Sequence, residues 1–190
     1  MRTNPERRQA LLDGAIEVLA AEGARGLTFR AVDKQAGVPA GTASNYFANR
    51  DELLTQAGIR FYEVIAPSAE AMAQVSNGPR TKEHIAVLMR EVVSRLESHR
   101  TAYLALLELR LEATRRPELR AVLTERVRAD VEFNIRNHLA SGLPGDADSV
   151  LLLYLALNWL IVEHLTLPGI FTEEQSLALI ETAVERAIPG

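Results

Sequence analysis

The stretch 28–53, TFRAVDKQAGVPAGTASNYFANRDEL, decides how this chain folds. It parses as two very short helices joined by a tight turn. Thr28 is a helix cap, since its hydroxyl accepts a backbone N–H from the first turn. The helix it opens runs through Val32 and Ala36, and Gly37 stops it in the left-handed conformation open to glycine. Val38 fills the angle between the helices, and Pro39 takes a first-turn position where its missing N–H costs nothing. The second helix turns Ala40, Gly41, Thr42, Ser44 and Asn45 outward and Phe47 inward. A helix spent on Gly, Thr, Ser and Asn has poor intrinsic stability, so an ordinary bundle hairpin gains little from it. A helix-turn-helix does gain, because its second helix must be slim and polar enough to enter a DNA major groove.

Outside that stretch the totals set bounds. A chain of 190 residues suffices for one large domain or for a small domain on a larger one. At 47% hydrophobic and 24% charged it has the balance of an ordinary globular protein. Zero cysteines exclude disulfides and thiolate metal sites, which suits a reducing cytoplasm. The opening MRTNPERRQALL lacks the apolar core of a signal peptide. The longest near-apolar run, 150–162, is interrupted by Asn158 and is shorter than the roughly 18 residues of a membrane span. A cytoplasmic protein without a membrane partner is expected. Net charge is −4, divided as +1 over residues 1–60 and −5 over 61–190. A basic footprint on DNA therefore has to be local, and Arg2, Arg7, Arg8, Arg25, Arg30, Lys34 and Arg50 can supply it. Affinity then leans on these side chains and on backbone amides, and falls with salt. Arg30 and Lys34 also fit a plain solvated face, the simpler reading of the two.

Strand signals are almost absent, so the fold class is all-α. Thr3 and Glu6 form a capping-box pair ahead of a first helix with Leu12, Ala15, Ile16 and Leu19 on one face, ending at Glu22-Gly23. Asn49 and Glu52 repeat the capping logic for a helix carrying Leu53, Leu54, Ala57, Phe61 and Ile65. That helix is expected to continue, kinked, past Pro67 to residue 75. After the break SNGP at 76–79, helices follow at 81–98, 101–115, 117–140, 149–167 and 172–187, about nine in all. Asp146 or Asp148 caps the penultimate helix and Thr172 the last. The helix at 149–167 is apolar nearly all round and must be covered on every side. The run Glu108, Arg110, Glu112, Arg115 and Arg116 reads as i,i+4 pairs on a solvated face.

Thr28, Ala36-Gly37-Val38, Gly41-Thr42, Tyr46-Phe47 and Arg50 before Glu52-Leu53 resemble the DNA-binding domain of the tetracycline-repressor-like (TetR/AcrR) family of bacterial transcription regulators. Pro39 stands where that pattern usually has Ser, Ala43 where it has Leu, and Ser44 where it has Tyr, so base preference does not carry over. The likeness is good over about the first fifty residues and rests beyond them on length and helical layout. It implies a three-helix helix-turn-helix domain at 1–50 and a helical ligand-binding and dimerisation domain at 51–190. A homodimer through the last two helices would form a four-helix bundle on a two-fold axis. Its partner is a palindromic double-stranded operator with half-sites about one DNA turn, roughly 34–36 Å, apart. Repression is implied, with release by a small-molecule effector that binds the DNA-incompetent arrangement more tightly.

Within a half-site, Thr28 and the amides beside it, Arg7 or Arg2, Arg30, the Tyr46 hydroxyl and Arg50 are expected on phosphates. Asn45 is the expected direct reader, since a carboxamide pairs bidentately with adenine. Thr42 and Ser44 address base edges or phosphates, Ala40 a thymine methyl, and Pro39 opens the helix. Gly41 lets the backbone approach closely. Tyr46 fits simple packing beside Phe47 equally well. The effector pocket is expected among Phe61, Tyr62, Met89, Tyr103, Leu107, Phe133, Asn134, Asn158, Trp159 and His164, and its Leu-rich surroundings point to an apolar compound.

The rival class is a helical-bundle enzyme, or a metabolite-binding protein without DNA activity. The four histidines have no ligand spacing, and no Glu-x-x-His pair, Gly-x-Ser-x-Gly elbow or phosphate-binding glycine loop occurs. No catalytic residue, metal or cofactor is assigned.

Overall fold

The computed structural model describes residues 4–189, with the backbone alone for Gln74 and Ser76. Among these residues every regular element is helical: α1 (Pro5–Gly26), α2 (Phe29–Gln35), a 3-10 turn (Ala43–Asn45), α3 (Arg50–Val64), α4 (Ala69–Asn77), α5 (Lys82–Ser98), α6 (Arg100–Ala113), α7 (Pro117–Ser141), α8 (Ala147–Thr166) and α9 (Glu173–Ala187). They form two compact units, one of Met1–Ala66 with His99–Arg126, the other of Pro67–Ser98 with Val127–Gly190. These are packing units, and they divide α7 between them without regard to function.

The first unit packs α1, α2, α3 and α6 around Leu11, Leu19, Leu27, Leu53, Leu54, Phe61 and Leu109, all essentially fully buried. Phe61 meets Tyr62 and Tyr103 edge to face, with ring centroids 5.0 and 5.6 Å apart. Asn4 caps α1, its side chain accepting from the Arg7 amide, with Pro5 in the first turn. Thr3, the cap expected from the sequence, lies outside the described residues. The helix breaks at Gly23 (φ 69°, ψ −179°), where its end is expected, but a short helical stretch then carries on to Gly26. Two long side chains hold that broken end. The Glu108 carboxylate accepts from the Ala24 amide at 2.9 Å, and the Arg50 guanidinium donates to the carbonyls of Ala24 and Leu27. Glu108 is therefore a cap for α1 and not a solvated charge. Glu112 pairs with Arg115 and Arg116 as the sequence implies, but Arg116 also reaches Asp51 at 3.4 Å, so this face of α6 is tied to α3.

Asn49 caps α3 by accepting from the Glu52 amide at 2.8 Å, while the Glu52 carboxylate turns back to the Ala48 amide. This helix stops at Val64 and does not run kinked through Pro67. Proline forces the preceding residue out of the helical region. Ser68 then opens α4 as a separate helix, its hydroxyl accepting from the Ala71 amide.

In the second unit α5, α8 and α9 close on Ile85, Leu88, Leu143, Leu153, Val184 and Ile188. Asp146 with Ser149 and Thr172 with Gln175 form full capping boxes at the starts of α8 and α9. Leu153, Leu157, Leu160, Ile161 and Leu165 make the buried face of α8. The whole helix is longer than its most apolar run. At 20 residues, with a mean hydropathy of 1.5 over an 18-residue window, it is long and apolar enough by composition to cross a bilayer, yet only 33% of that window is buried. Its opposite face, discussed below, is bare.

Near the end of α7, His138 hydrogen-bonds through Nε2 with the Pro144 carbonyl at 3.1 Å. Burial holds its imidazole below the ordinary 6.5, against the opposing pull of the Pro144 carbonyl and the Asp146 charge. A folded chain that prefers neutral His138 gains stability above pH 6.5 and loses it as pH falls through the lower folded value. Urea midpoints between pH 7.5 and 5 should accordingly drop less in His138→Gln than in the wild type. Glu108→Ala leaves the Ala24 amide without its acceptor and should cost about 1–3 kcal/mol in urea unfolding at neutral pH.

Candidate nucleic-acid interface

Thr28 stands in extended conformation before α2, and its hydroxyl accepts from the Ala31 amide at 3.1 Å. The helix ends at Gln35, and Gly37 (φ 64°) makes the left-handed turn that its position demands. Beyond Pro39 the structure departs from the expected α-helix. The recognition segment is a single 3-10 turn, Ala43–Asn45, between bends. The causes are local. Gly41 sits at φ 89° and interrupts the run. Three side chains then bond to backbone instead of leaving it to a helical ladder: the Thr42 hydroxyl donates to the Pro39 carbonyl at 2.5 Å, and the Ser44 hydroxyl and Asn45 carboxamide both donate to Gly41 at 2.8 and 3.0 Å.

So short a segment must be held by its surroundings. Ala43 and Phe47 anchor it inward at 0% and 1% exposure. Arg8 donates to the Tyr46 carbonyl at 3.2 Å and lies 4.9 Å over the Phe47 ring. Asp33 was not singled out in the sequence, where it reads as one more polar residue beside Lys34. It is 2% exposed, and its carboxylate accepts from the amides of Gly41 and Ala43, each at 2.7 Å. The available signal was its spacing, four residues after Phe29 and three before Ala36, which puts it on the inner face of α2.

Arg7, Thr28, Arg30, Pro39, Ala40, Gly41, Ser44 and Asn45 are exposed, and Thr42 and Tyr46 are half-buried. Arg50 is half-buried with its guanidinium on the carbonyls that end α1, so its place in the motif is that of a brace. Arg2 lies outside the described residues.

The ten residues expected to line an effector pocket divide between the units. Phe61, Tyr62, Tyr103 and Leu107 belong to the first; Met89, Phe133, Asn134, Asn158, Trp159 and His164 belong to the second. Asn134 and Asn158 donate to carbonyls one turn back, those of Asp130 and Tyr154. His164 hydrogen-bonds with the Glu97 carboxylate through Nδ1 and with the Ser176 hydroxyl through Nε2, tying α5, α8 and α9 together. That hydroxyl is buried and also donates to the Thr172 carbonyl at 2.9 Å, so this Glu-His-Ser arrangement offers no exposed nucleophile. Trp159 is 66% exposed. On the second unit a shallow, open depression lies along α5 beside Arg90, Glu91, Ser94, Arg95 and Ser98, none of them expected from the sequence.

Two family models match the chain. Residues 11–57, which contain α2 and the recognition turn, match the model described as bacterial regulatory proteins, tetR family. Residues 80–190, more than half of the chain, match the model described as tetracyclin repressor-like, C-terminal domain. The chain belongs to the TetR family. Among solved structures it is similar to a TetR-family member from Streptomyces coelicolor A3, at 29% identity and TM-score 0.73, covering 98% of this chain and 100% of that one. It is also similar to the multidrug binding protein EbrR complexed with ethidium, at 28% identity and TM-score 0.68, covering 95% and 99%. A fatty acid degradation regulator, FadR from Bacillus halodurans, shares the fold at 18% identity and TM-score 0.70, covering 100% and 98%. No match is found among curated proteins. Among the described residues, the nine helices and the helix-turn-helix are thus those of a TetR-family transcriptional regulator.

Two arginines of this TetR-family motif separate by experiment. Arg50→Ala should lower stability by about 1.5–3 kcal/mol in denaturant unfolding, because it unties two carbonyls. Arg30→Ala should leave stability within about 0.5 kcal/mol of wild type. On a bound duplex, it should flatten the slope of log affinity against log salt by about one.

Proposed function

We propose that this TetR-family regulator binds a near-palindromic operator as a cytoplasmic homodimer, represses from it, and is released by a small molecule held in its C-terminal domain. Residues 1–50 would carry the DNA-binding domain and 51–190 the ligand and dimerisation functions. The observation that carries the DNA reading is the two-sidedness of the recognition segment. Ser44 and Asn45 stand exposed on a backbone whose flanking residues, Ala43 and Phe47, are fully buried. A surface loop has no need of such an inner anchor. A base-reading element does, since one misplaced ångström loses the hydrogen bond. Asn45 reads adenine in this proposal, Thr42 and Ser44 reach base edges or phosphates, and Ala40 meets a thymine methyl. Thr28, Arg7, Arg30 and Tyr46 hold phosphates, with Arg50 bracing the motif.

The bare face of α8 supports the dimer. Leu151, Leu152, Leu155 and Trp159 are exposed on it, at up to 66%, and Leu177 and Leu179 are exposed on α9. Large apolar side chains left exposed along one helix fit an interaction face better than a solvated one. A second copy, apposing its own α8 and α9 across a two-fold axis, would cover it and complete a four-helix bundle. The helix that had to be covered on every side would then be covered by two chains.

EbrR, 28% identical over nearly the whole chain, is complexed with ethidium, which supports a small-molecule effector here. The test is fluorescence anisotropy on a duplex recovered by selection, combined with sedimentation. Two protomers should bind each duplex. Asn45→Ala should lose about 1–3 kcal/mol of discrimination at one base pair per half-site. Leu155→Arg should sediment as a folded monomer and bind the same duplex at least about tenfold more weakly, as loss of the linked second half-site requires. A wild-type monomer, or an Asn45→Ala protein with unchanged preference, would contradict the respective part.

A further inference from the structure

We propose that Asp33 is the positioning residue that sets the base-reading register: its buried carboxylate fixes the backbone from which Ser44 and Asn45 reach the DNA. This rests on the DNA-binding reading above. The two carboxylate oxygens are divided between two donors, Oδ2 taking the Gly41 amide and Oδ1 the Ala43 amide, both at 2.7 Å. Gly41 in left-handed conformation followed by Thr42 at φ −66°, ψ −49° turns those two N–H groups to the same side. Such a concavity of amides is an anion-binding nest. Here the anion comes from the protein itself.

The location makes the carboxylate costly unless it is used. It is 2% exposed and lies in the second half of α2, toward the negative pole of that helix. Its backbone carbonyl meanwhile accepts from the Val38 amide at 3.0 Å, so one residue holds both the turn and the segment after it. The consequences run outward from the clamped atoms. Ser44 and Asn45 both donate to the Gly41 carbonyl, and the amides of Tyr46 and Phe47 both donate to the Ala43 carbonyl. If the loop at 41–43 shifts, both outward readers shift with it. A nest already filled from beneath is also withheld from DNA phosphates, which keeps two strong, sequence-blind donors out of the interface.

The experiment is selection of bound duplexes from a random pool at two salt concentrations, with wild type, Asp33→Asn and Asp33→Ala. Asparagine keeps the volume and one acceptor but loses the charge and the second acceptor. Asp33→Asn should keep wild-type helicity by circular dichroism. It should lose about tenfold or more of the preference at the base pairs facing residues 42–45 while binding random duplex within about threefold of wild type. Asp33→Ala should lose more preference, and its binding to random duplex should fall more steeply with salt as phosphates enter the vacated nest. A folded Asp33→Asn protein with an unchanged motif, or a uniform loss across all sequences, overturns the inference while leaving the DNA reading intact. A wild-type protein that recovers no motif overturns the DNA reading and this inference with it. If the variants do not fold, the wild type decides by nuclear magnetic resonance. The Gly41 and Ala43 amide protons should lie downfield of ordinary loop amides, as donors to a carboxylate at 2.7 Å do. Amides at ordinary positions overturn the clamp.

Discussion

An element that reads bases has to be thin and polar on the side that meets DNA, and it therefore buries too little of itself to be stable alone. Three residues of 3-10 helix cannot supply their own stability. The rest of the first unit answers that constraint. Asp33 binds the start of the segment from below, Phe47 and Ala43 seat its far side in the core, and Arg8 covers Phe47 while holding the Tyr46 carbonyl. A second tier supports the first. Arg50 and Glu108 fix the broken end of α1 at 23–27, from which Thr28 opens α2. Long charged side chains thus stand in for the hydrophobic contacts that so slim a motif cannot make.

Much of this was legible in the sequence because the signals are local. Thr28 as a cap, Gly37 at the turn, Asn49 with Glu52, Asp146 as one of two candidate caps and Thr172 as a cap each have their partners three or four residues away. What escaped was long-range or a matter of competition. Nothing adjacent to Glu108 announces that it caps a helix 84 residues earlier. The recognition segment was expected as an α-helix because Pro39 starts one well. The same Gly, Thr, Ser and Asn that identified it also bond to their own backbone and stop the helix from forming. Pro67 was read as a kink, whereas Ser68 beyond it offers a new cap and makes a break the cheaper outcome. Of the aromatic and polar residues expected around an effector, Phe61 and Tyr103 are packed core, while Trp159 belongs to an apolar surface.

That surface gives α8 two roles in the proposed regulator. One face seals the second unit against α5 and α9; the other, with Leu155 and Trp159 bare, is the face on which the proposed second copy would sit. The Glu97–His164–Ser176 hydrogen bonds join α5, α8 and α9 at the end of this helix. In the proposed regulator, a small molecule that shifts α5 would through these bonds also move α8, whose other face is the proposed dimer contact. A coupling of this kind needs differential binding to two arrangements, not a long wire.

The claim on which everything else rests is that the recognition turn is preorganised before any DNA arrives. Amide hydrogen exchange of the free protein tests it most directly. The amides of Gly41, Ala43 and Phe47 should be protected to the same order as the interior amides of α3, while those at the rim of the turn exchange fast. Exchange of all three at the rate of an unstructured peptide would contradict the account, because the segment would then be ordered only by the DNA it is meant to read.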